Sequence, residues 1–185
     1  MRKVFVKAVI RLGSEDPDFR SVLSPLESRR MGRLLKRAVW TSMEALKRAG
    51  IDMPDAVITA TDWGCISNSE AFLDALKAAD ALRPVHFMQS THNTISSAIA
   101  IRLGCHGYNA TYSQRGSSFR DALEDAAIQI RLGDIDTALV GWFDEKTARL
   151  EESECQCSDT AISVVLSSKG ETELNDNTIL ELCGN

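Results

Sequence analysis

Residues 109–142, NATYSQRGSSFRDALEDAAIQIRLGDIDTALVGW, contain the pattern that decides the fold. Residues 109–113 combine β-forming and small residues and predict a short strand. Ser117 or Ser118 then predicts the cap of a helix, which a glycine ends. Residues 137–142 form an apolar run that predicts a buried strand. Buried strands that flank a helix in this order are typical of α/β proteins.

The same strand and helix periodicities continue outward toward both ends of the chain. They predict strands over 3–11, 56–61, 109–113, 137–142, 161–166 and 179–182, and helices over 25–49, 67–81, 94–103 and 118–132, with capping boxes at Ser24–Glu27 and Ser67–Glu70. Six segments thus have the pattern of a strand, and the order of the elements predicts a layered α/β/α fold, for which we expect a five-stranded, mostly parallel mixed sheet. We expect a single domain over residues 1–185, in which the last two strands pair antiparallel because a short link joins them.

Charge and hydropathy exclude two classes of function. The net charge of −5 argues against a nucleic-acid-binding protein, and no run of 18 apolar residues predicts a membrane span. We therefore expect a cytoplasmic protein. One basic cluster stands out, and we interpret it as the solvated side of one helix; the alternative is a docking patch for an acidic protein or a phosphate-bearing carrier. The cluster comprises Arg29, Arg30, Arg33, Lys36 and Arg37.

The cysteines predict neither a disulfide framework nor a metal site. There are five, with irregular spacing, and Cys155-Gln156-Cys157 is a C-x-C and not a C-x-x-C sequence. The three histidines do not complete a zinc-binding spacing. We expect reduced, inert thiols, no metal and no cofactor.

Three segments resemble β-ketoacyl synthases, and each departs from the family pattern at one position. Residues 103–109, LGCHGYN, resemble the turn L-G-x-x-G-P-N, and residues 131–144, RLGDIDTALVGWFD, resemble R-x-G-x-x-D-x-x-x-x-G-G-x-D. Residues 87–100 resemble the helix start M-x-N-x-x-x-x-x-I-A. From about residue 25 to residue 167, the chain is therefore similar to the N-terminal half of this family, and this implies one half of a thiolase fold.

The resemblance also implies that the family's nucleophile is missing. The family's cysteine lies nine residues after the glycine of the first turn and 17 residues before the glycine of the last segment. Counting from Gly107 and back from Gly133 gives Gly116 both times. The family's two histidines belong to its C-terminal half, and no histidine of this chain occupies a matching motif. The resemblance therefore implies a non-condensing, ketosynthase-like subunit that acts as a partner in acyl-carrier-protein-dependent fatty-acid or polyketide biosynthesis.

Four residues near position 116 are candidates for residual chemistry. Gln114 invites comparison with chain-length factors, inactive partners that resemble synthases with glutamine at the cysteine position; a shifted turn would present it, and otherwise it bonds local backbone. Ser117 or Ser118 is the candidate nucleophile of an alternative, a small acyl-transferring or hydrolysing enzyme, and otherwise caps the helix. Arg115 is a candidate anion ligand at the helix start or an exposed turn residue.

The remaining candidates concern an acyl ligand and a partner. Asp62 follows a buried strand at the edge where α/β proteins bind ligands, or is a turn former, and His92 is a second candidate or a satisfied polar residue. In the family, the strand before the nucleophile pairs across a twofold axis, and Asn109, Ala110, Thr111, Tyr112 and Ser113 match it. This implies a homodimer or a heterodimer with a full-length ketosynthase, with Tyr112 near the pocket or interface. A further alternative is a pure dimerisation module.

Overall fold

The computed structural model describes residues 1–153 and 158–184, so that the C-x-C sequence lies outside the described residues. The strands are β1 (Phe5–Leu12), β2 (Ala56–Ala60), β3 (Tyr108–Tyr112), β4 (Thr137–Asp144), β5 (Thr160–Ser167) and β6 (Thr172–Glu173). The helices are α1 (Pro25–Arg30), α2 (Arg33–Ala49), α3 (Ile66–Lys77), α4 (Pro84–Gln89), α5 (Thr94–Leu103), α6 (Ser118–Leu132), α7 (Ala148–Glu152) and α8 (Asp176–Cys183).

The strands form one mixed sheet in the order β3-β2-β4-β5-β1-β6. β2 pairs in parallel with β3 and β4, whereas β5 is antiparallel to β4 and β1, and β6 is antiparallel to β1. Four of the six strands in the described part therefore run in one direction, and the predicted fold class is confirmed. The sheet has one more strand than the predicted five, because Thr172–Glu173 pairs with the start of β1.

Helices cover both faces of the sheet. α6 packs across β2, β3 and β4 on one face, with α8 against α6; α2 and α5 pack on the other face. All five residues of β2 are buried, as a continuous apolar run predicts for a strand that is covered on both sides. The layers bring the carboxyl ends of β3, β2 and β4 to one edge of the sheet.

The prediction of a closing strand over 179–182 is wrong, since these residues lie in α8. Asn175 caps this helix by accepting a hydrogen bond from the Thr178 amide, and Gly184 ends it in the left-handed conformation. Ile179 and Leu182 are three residues apart, so they lie on the same face of the helix, and both are buried. A four-residue apolar pattern fits a strand and a helix turn equally well, and the caps decide between them.

Two predicted helix starts have different outcomes. The capping box of Ser24 and Glu27 is confirmed, although the helix breaks at Met31–Gly32 and continues as α2. The second predicted box is wrong, because α3 begins one residue before Ser67, whose amide and hydroxyl both donate to the Glu145 carboxylate. A distant acceptor thus takes the hydrogen bonds that a local cap would use.

The basic cluster does not form a uniformly solvated face. Arg29 and Arg30 are exposed, as predicted, but Arg37 is 1% exposed. Its guanidinium donates to Asp16 at 2.7 Å and to the Gly13 carbonyl at 2.7 Å. Asp16 offsets the buried charge, so Arg37 anchors the loop after β1 and is unavailable to a partner.

Candidate functional site

The candidate site lies where the β3–α6 turn meets the turn that follows β2. These segments adjoin because β3 and β2 are parallel neighbours, in register from Ala56↔Tyr108 to Ala60↔Tyr112. Ligands of open α/β sheets bind at this edge, beyond the carboxyl ends of the strands. The fold thus brings together Asp62, which the sequence singles out, and the region of position 116.

The β3–α6 turn contains two consecutive residues in the left-handed region. Arg115 has φ +46° and Gly116 has φ +71°. Residues other than glycine rarely adopt this backbone conformation, so the backbone of Arg115 is strained. A Cβ atom built on Gly116 has no neighbour within 4 Å, which means that space does not require glycine there.

The two serines of this turn occupy the predicted positions, but neither caps the helix with its side chain. Ser117 is the N-cap residue, and its hydroxyl donates to the Asp121 carboxylate at 2.7 Å. Ser118 is 1% exposed; its hydroxyl donates to Asp62 at 2.6 Å and accepts the Gln114 amide at 2.9 Å. The Gln114 amide is thereby held by the side chain of Ser118, whereas a bond from Gln114 to local backbone stays a prediction.

A buried carboxylate, Asp144, supports the turn after β2. It is 3% exposed and accepts hydrogen bonds from the Thr61 hydroxyl at 2.7 Å, the Asp62 and Trp63 amides at 3.0 and 2.9 Å, and the Trp142 indole at 2.9 Å. Burial raises the pKa of Asp144, and these hydrogen bonds oppose the rise. Asp144 ends the segment 131–144 and has no role that the sequence indicates, because most of its partners are about 80 residues away in the chain.

Two further candidates border the same turn. The Arg115 guanidinium carbon lies 5.0 Å from the centre of the Trp63 ring, a cation–π contact. A Cβ atom on Gly64 would lie 3.6 Å from the His92 ring, so exposed His92 packs beside the turn. Arg115 and His92 therefore lie against the turn after β2, which contains Asp62, although the three residues come from separate segments of the sequence.

The described cysteines are free, and two are deactivated by burial. Burial, followed by the charges of Glu145 and Asp144, raises the pKa of Cys65 to about 12. Burial also raises the pKa of Cys183. Because the thiolate is the nucleophile, neither group substitutes for the family's cysteine. Among the described residues, no group of three or more His, Cys, Asp or Glu side chains could hold a metal ion.

β3 is an edge strand, as a strand that pairs across a twofold axis requires. It spans Tyr108–Tyr112, so the match to 109–113 is shifted by one residue and Ser113 lies outside it. The Tyr112 carbonyl accepts the Thr61 amide, so Asn109 and Thr111, which alternate with it, direct their backbone groups away from β2. Burial, followed by the charge of Asp125, raises the pKa of Tyr112 to about 12.

The cavities near the turn are small, and the larger grooves lie elsewhere. Asp62, Gly116, Ser118, Phe119, Arg120, Trp142 and Cys183 line a space of about 40 Å³, which holds a few waters at most. An open groove of about 780 Å³ lies between α1, α2, α4 and α5. A groove of about 610 Å³ beside it carries Arg29, Arg30, Arg83 and His86. In the described part of the chain, no helix is long and apolar enough to cross a membrane.

Comparisons with known proteins agree with this architecture. Residues 9–163 match the family model described as "Beta-ketoacyl synthase, N-terminal domain", whereas no functionally curated protein matches. A ketosynthase in complex with its chain length factor from Xenorhabdus doucetiae is similar with a TM-score of 0.76 and 15% identity, over 100% of this chain and 93% of that chain.

Two other solved structures show the same fold. The ishigamide ketosynthase/chain length factor has a TM-score of 0.74 and 16% identity, over 92% of this chain. A type II polyketide synthase acyl-carrier protein in complex with its hexaketide-bound ketosynthase has a TM-score of 0.73 and 17% identity, over 98% of this chain. The match covers 64% and 65% of those two chains, respectively.

Proposed function

Because the chain belongs to the β-ketoacyl synthase N-terminal domain family, we propose that it is a non-condensing partner subunit, similar to a chain-length factor, in acyl-carrier-protein-dependent biosynthesis of the fatty-acid or polyketide type. The observation that carries the proposal is Gly116 at the family's cysteine position, on the bend between β3 and α6. Glycine has no side chain that could accept an acyl group, so no acyl-enzyme forms there.

The geometry does not favour the serine-dependent enzyme. Ser118 is buried, and its hydroxyl already donates to Asp62 and accepts from a backbone amide. Ser117 donates to Asp121, whereas an activated serine needs a positioned base, usually histidine. In the hydrogen bonds of the described residues, neither serine hydroxyl bonds to a histidine; His86, for example, pairs with Asn68 at 3.0 Å.

The partner that fits best is a full-length ketosynthase bound through β3. The backbone groups of Asn109 and Thr111 point away from β2, and an unpaired edge of this kind is a template for another strand. Two of the similar structures are named as ketosynthases with chain length factors, which supports a heterodimer here. Tyr112, at the end of this strand, would then lie near the interface. A homodimer through the same strand is the alternative.

An acyl carrier protein is the second proposed partner. Exposed Arg29, Arg30 and Arg83 surround one open groove, and a cationic surface attracts an acidic protein or a phosphate group. One similar structure is named as an acyl-carrier protein in complex with its ketosynthase, which supports this assignment.

The test mixes the purified chain with a full-length ketosynthase from the same cells. Light scattering measures complex formation, and a radiolabelled acyl thioester tests for covalent transfer. We expect a stable heteromer and no label on this chain. A chain that stays apart from the ketosynthase contradicts the proposal. A label that disappears with Ser117→Ala or Ser118→Ala establishes the acyl-transferring enzyme instead.

A matched pair of variants tests the strand. Asn109→Pro removes an amide that points away from β2, whereas Asn109→Ala keeps the amide and loses only the side-chain bond to the Ser96 carbonyl. We expect Asn109→Pro to weaken the heteromer and Asn109→Ala to leave it largely intact. Equal binding by both variants would mean that β3 does not pair with the ketosynthase.

A further inference from the structure

A carboxylate of the chain itself lies at the amino end of α6. One Asp62 oxygen accepts the Gly116 amide at 3.2 Å, and the other accepts the Ser118 hydroxyl at 2.6 Å. α6 has 15 residues, so its first amides carry an appreciable partial positive charge. A single side chain from the turn after β2 thus binds the Gly116 amide and the Ser118 hydroxyl and places a negative charge at this helix start.

Hydrogen bonds to Asp144 hold the backbone of Asp62 in this position. Its own amide donates to both oxygens of Asp144 at 3.0 Å, and Asp144 also accepts the Trp63 amide and the Thr61 hydroxyl. The Thr61 hydroxyl in turn accepts the Gly64 amide at 2.6 Å. The turn therefore has little freedom to swing the Asp62 carboxylate away from α6.

The cavity between the carboxylate and the start of α6 is small, although Gly116 itself is exposed. About 40 Å³ remains beside Asp62, Gly116 and Ser118, too little for an acyl thioester. A side chain at position 116, by contrast, would meet nothing within 4 Å of its Cβ atom. There is space for a cysteine side chain, although φ +71° at this position strains any residue other than glycine.

We infer that the negative charge of Asp62 makes the start of α6 unfavourable for an anion, so that this site is disabled by a second feature that is independent of the missing cysteine. A thiol at position 116 would share its residue with the amide that Asp62 accepts. The negative charge of Asp62 would oppose the stabilisation that a helix start gives to a thiolate. This inference concerns the isolated chain, and it stands or falls separately from the proposed ketosynthase partner.

The test compares the thiol of Gly116→Cys with and without Asp62→Asn. Both proteins are alkylated with iodoacetamide at pH 7, and peptide mass spectrometry reports the rate at position 116. Losing a neighbouring charge shifts a thiol pKa by about 2 units, which raises the thiolate fraction about 100-fold; the weaker nucleophile takes back about half of this on a logarithmic scale. We expect Gly116→Cys/Asp62→Asn to react about 10-fold faster than Gly116→Cys.

The matched control is Gly116→Cys/Asp121→Asn. Asp121 also has a carboxylate and lies in the first turn of α6, but its carboxylate accepts the Ser117 hydroxyl and not the Gly116 amide or the Ser118 hydroxyl. We expect a gain of less than about threefold from this change. If the two substitutions raised the alkylation rate equally, the effect of Asp62 would come from the net charge of the region and not from its position, and the inference would be overturned.

The single variant keeps the inference testable if the double variant does not fold, which circular dichroism checks. Position 116 is exposed, so reagent access does not limit the reaction. We expect the thiol of Gly116→Cys to react more slowly than a thiol of the unfolded chain. A folded Gly116→Cys that reacts as fast as or faster than that reference contradicts the inference.

Discussion

Removing the Asp144 carboxylate should destabilise the chain more than any single surface change. In Asp144→Ala, four donors lose their acceptor: the Thr61 hydroxyl, the Asp62 and Trp63 amides, and the Trp142 indole. A buried donor that is left unsatisfied costs ~1–3 kcal/mol. If water reaches two of the four donors, the other two cost ~4 kcal/mol, and release of the desolvated carboxylate returns ~1 kcal/mol. We expect a net loss of ~3 kcal/mol.

Urea denaturation followed by tryptophan fluorescence measures this loss. Asp134→Ala is the control, because Asp134 is exposed and a surface substitution changes stability by ~0.5 kcal/mol or less. The slope of free energy against urea concentration should agree between the variants, so that the midpoint reports stability. A loss below ~1 kcal/mol in Asp144→Ala would show that the turn after β2 holds its shape without Asp144, and would remove the support that holds Asp62 in place.

Three further predictions follow from single contacts. Gly107→Ala places a Cβ atom 1.9 Å from the Asp55 carbonyl oxygen, so the backbone must shift; thermal unfolding should show a large fall in melting temperature, and an unchanged melting temperature would contradict the close approach. Cys65 should not react with Ellman's reagent at pH 8 until the chain is unfolded, because burial raises the pKa of this thiol to about 12; rapid labelling of the folded chain would refute this. Hydrogen bonds from the side chain and the backbone of Ser24 lower the pKa of Glu27 from 4.5 to about 2. The contribution of the Glu27 carboxylate to stability is therefore complete above pH 4.5 and is lost as pH falls toward 2. The difference in stability between the wild type and Glu27→Gln should shrink over that pH range, and a constant difference would contradict the assignment.

Local patterns in the sequence determined most of the elements. The capping box at Ser24 acts within four residues, and the apolar run of β2 predicts a strand covered on both faces whatever the rest of the chain does. The spacing between Gly107 and Gly133 likewise identifies position 116 without a structure, because the intervening turn and helix have no insertion relative to the family pattern. These features depend on hydrogen bonds and periodicities that span a few residues.

The same local reasoning fails where a distant group competes. Ser67 has the sequence of a cap, but Glu145 takes its hydrogen bonds from 78 residues away. Arg37 belongs to a basic cluster that looks solvated, but Asp16 draws it into the interior. Residues 179–182 are a different case, because the groups that make them a helix, Asn175 and Gly184, are local caps that the strand pattern leaves out of account.

The candidate site divides along the same line. The sequence by itself placed glycine at position 116 and left Ser117 and Ser118 as candidate nucleophiles. The tertiary structure alone decided that Asp62 binds the start of α6, since the Ser118 hydroxyl and the Asp62 carboxylate are 56 residues apart. Strand order sets that contact, because parallel neighbours bring their carboxyl ends to one edge of the sheet. Pairing of strands is a long-range choice, and no short window of sequence contains it.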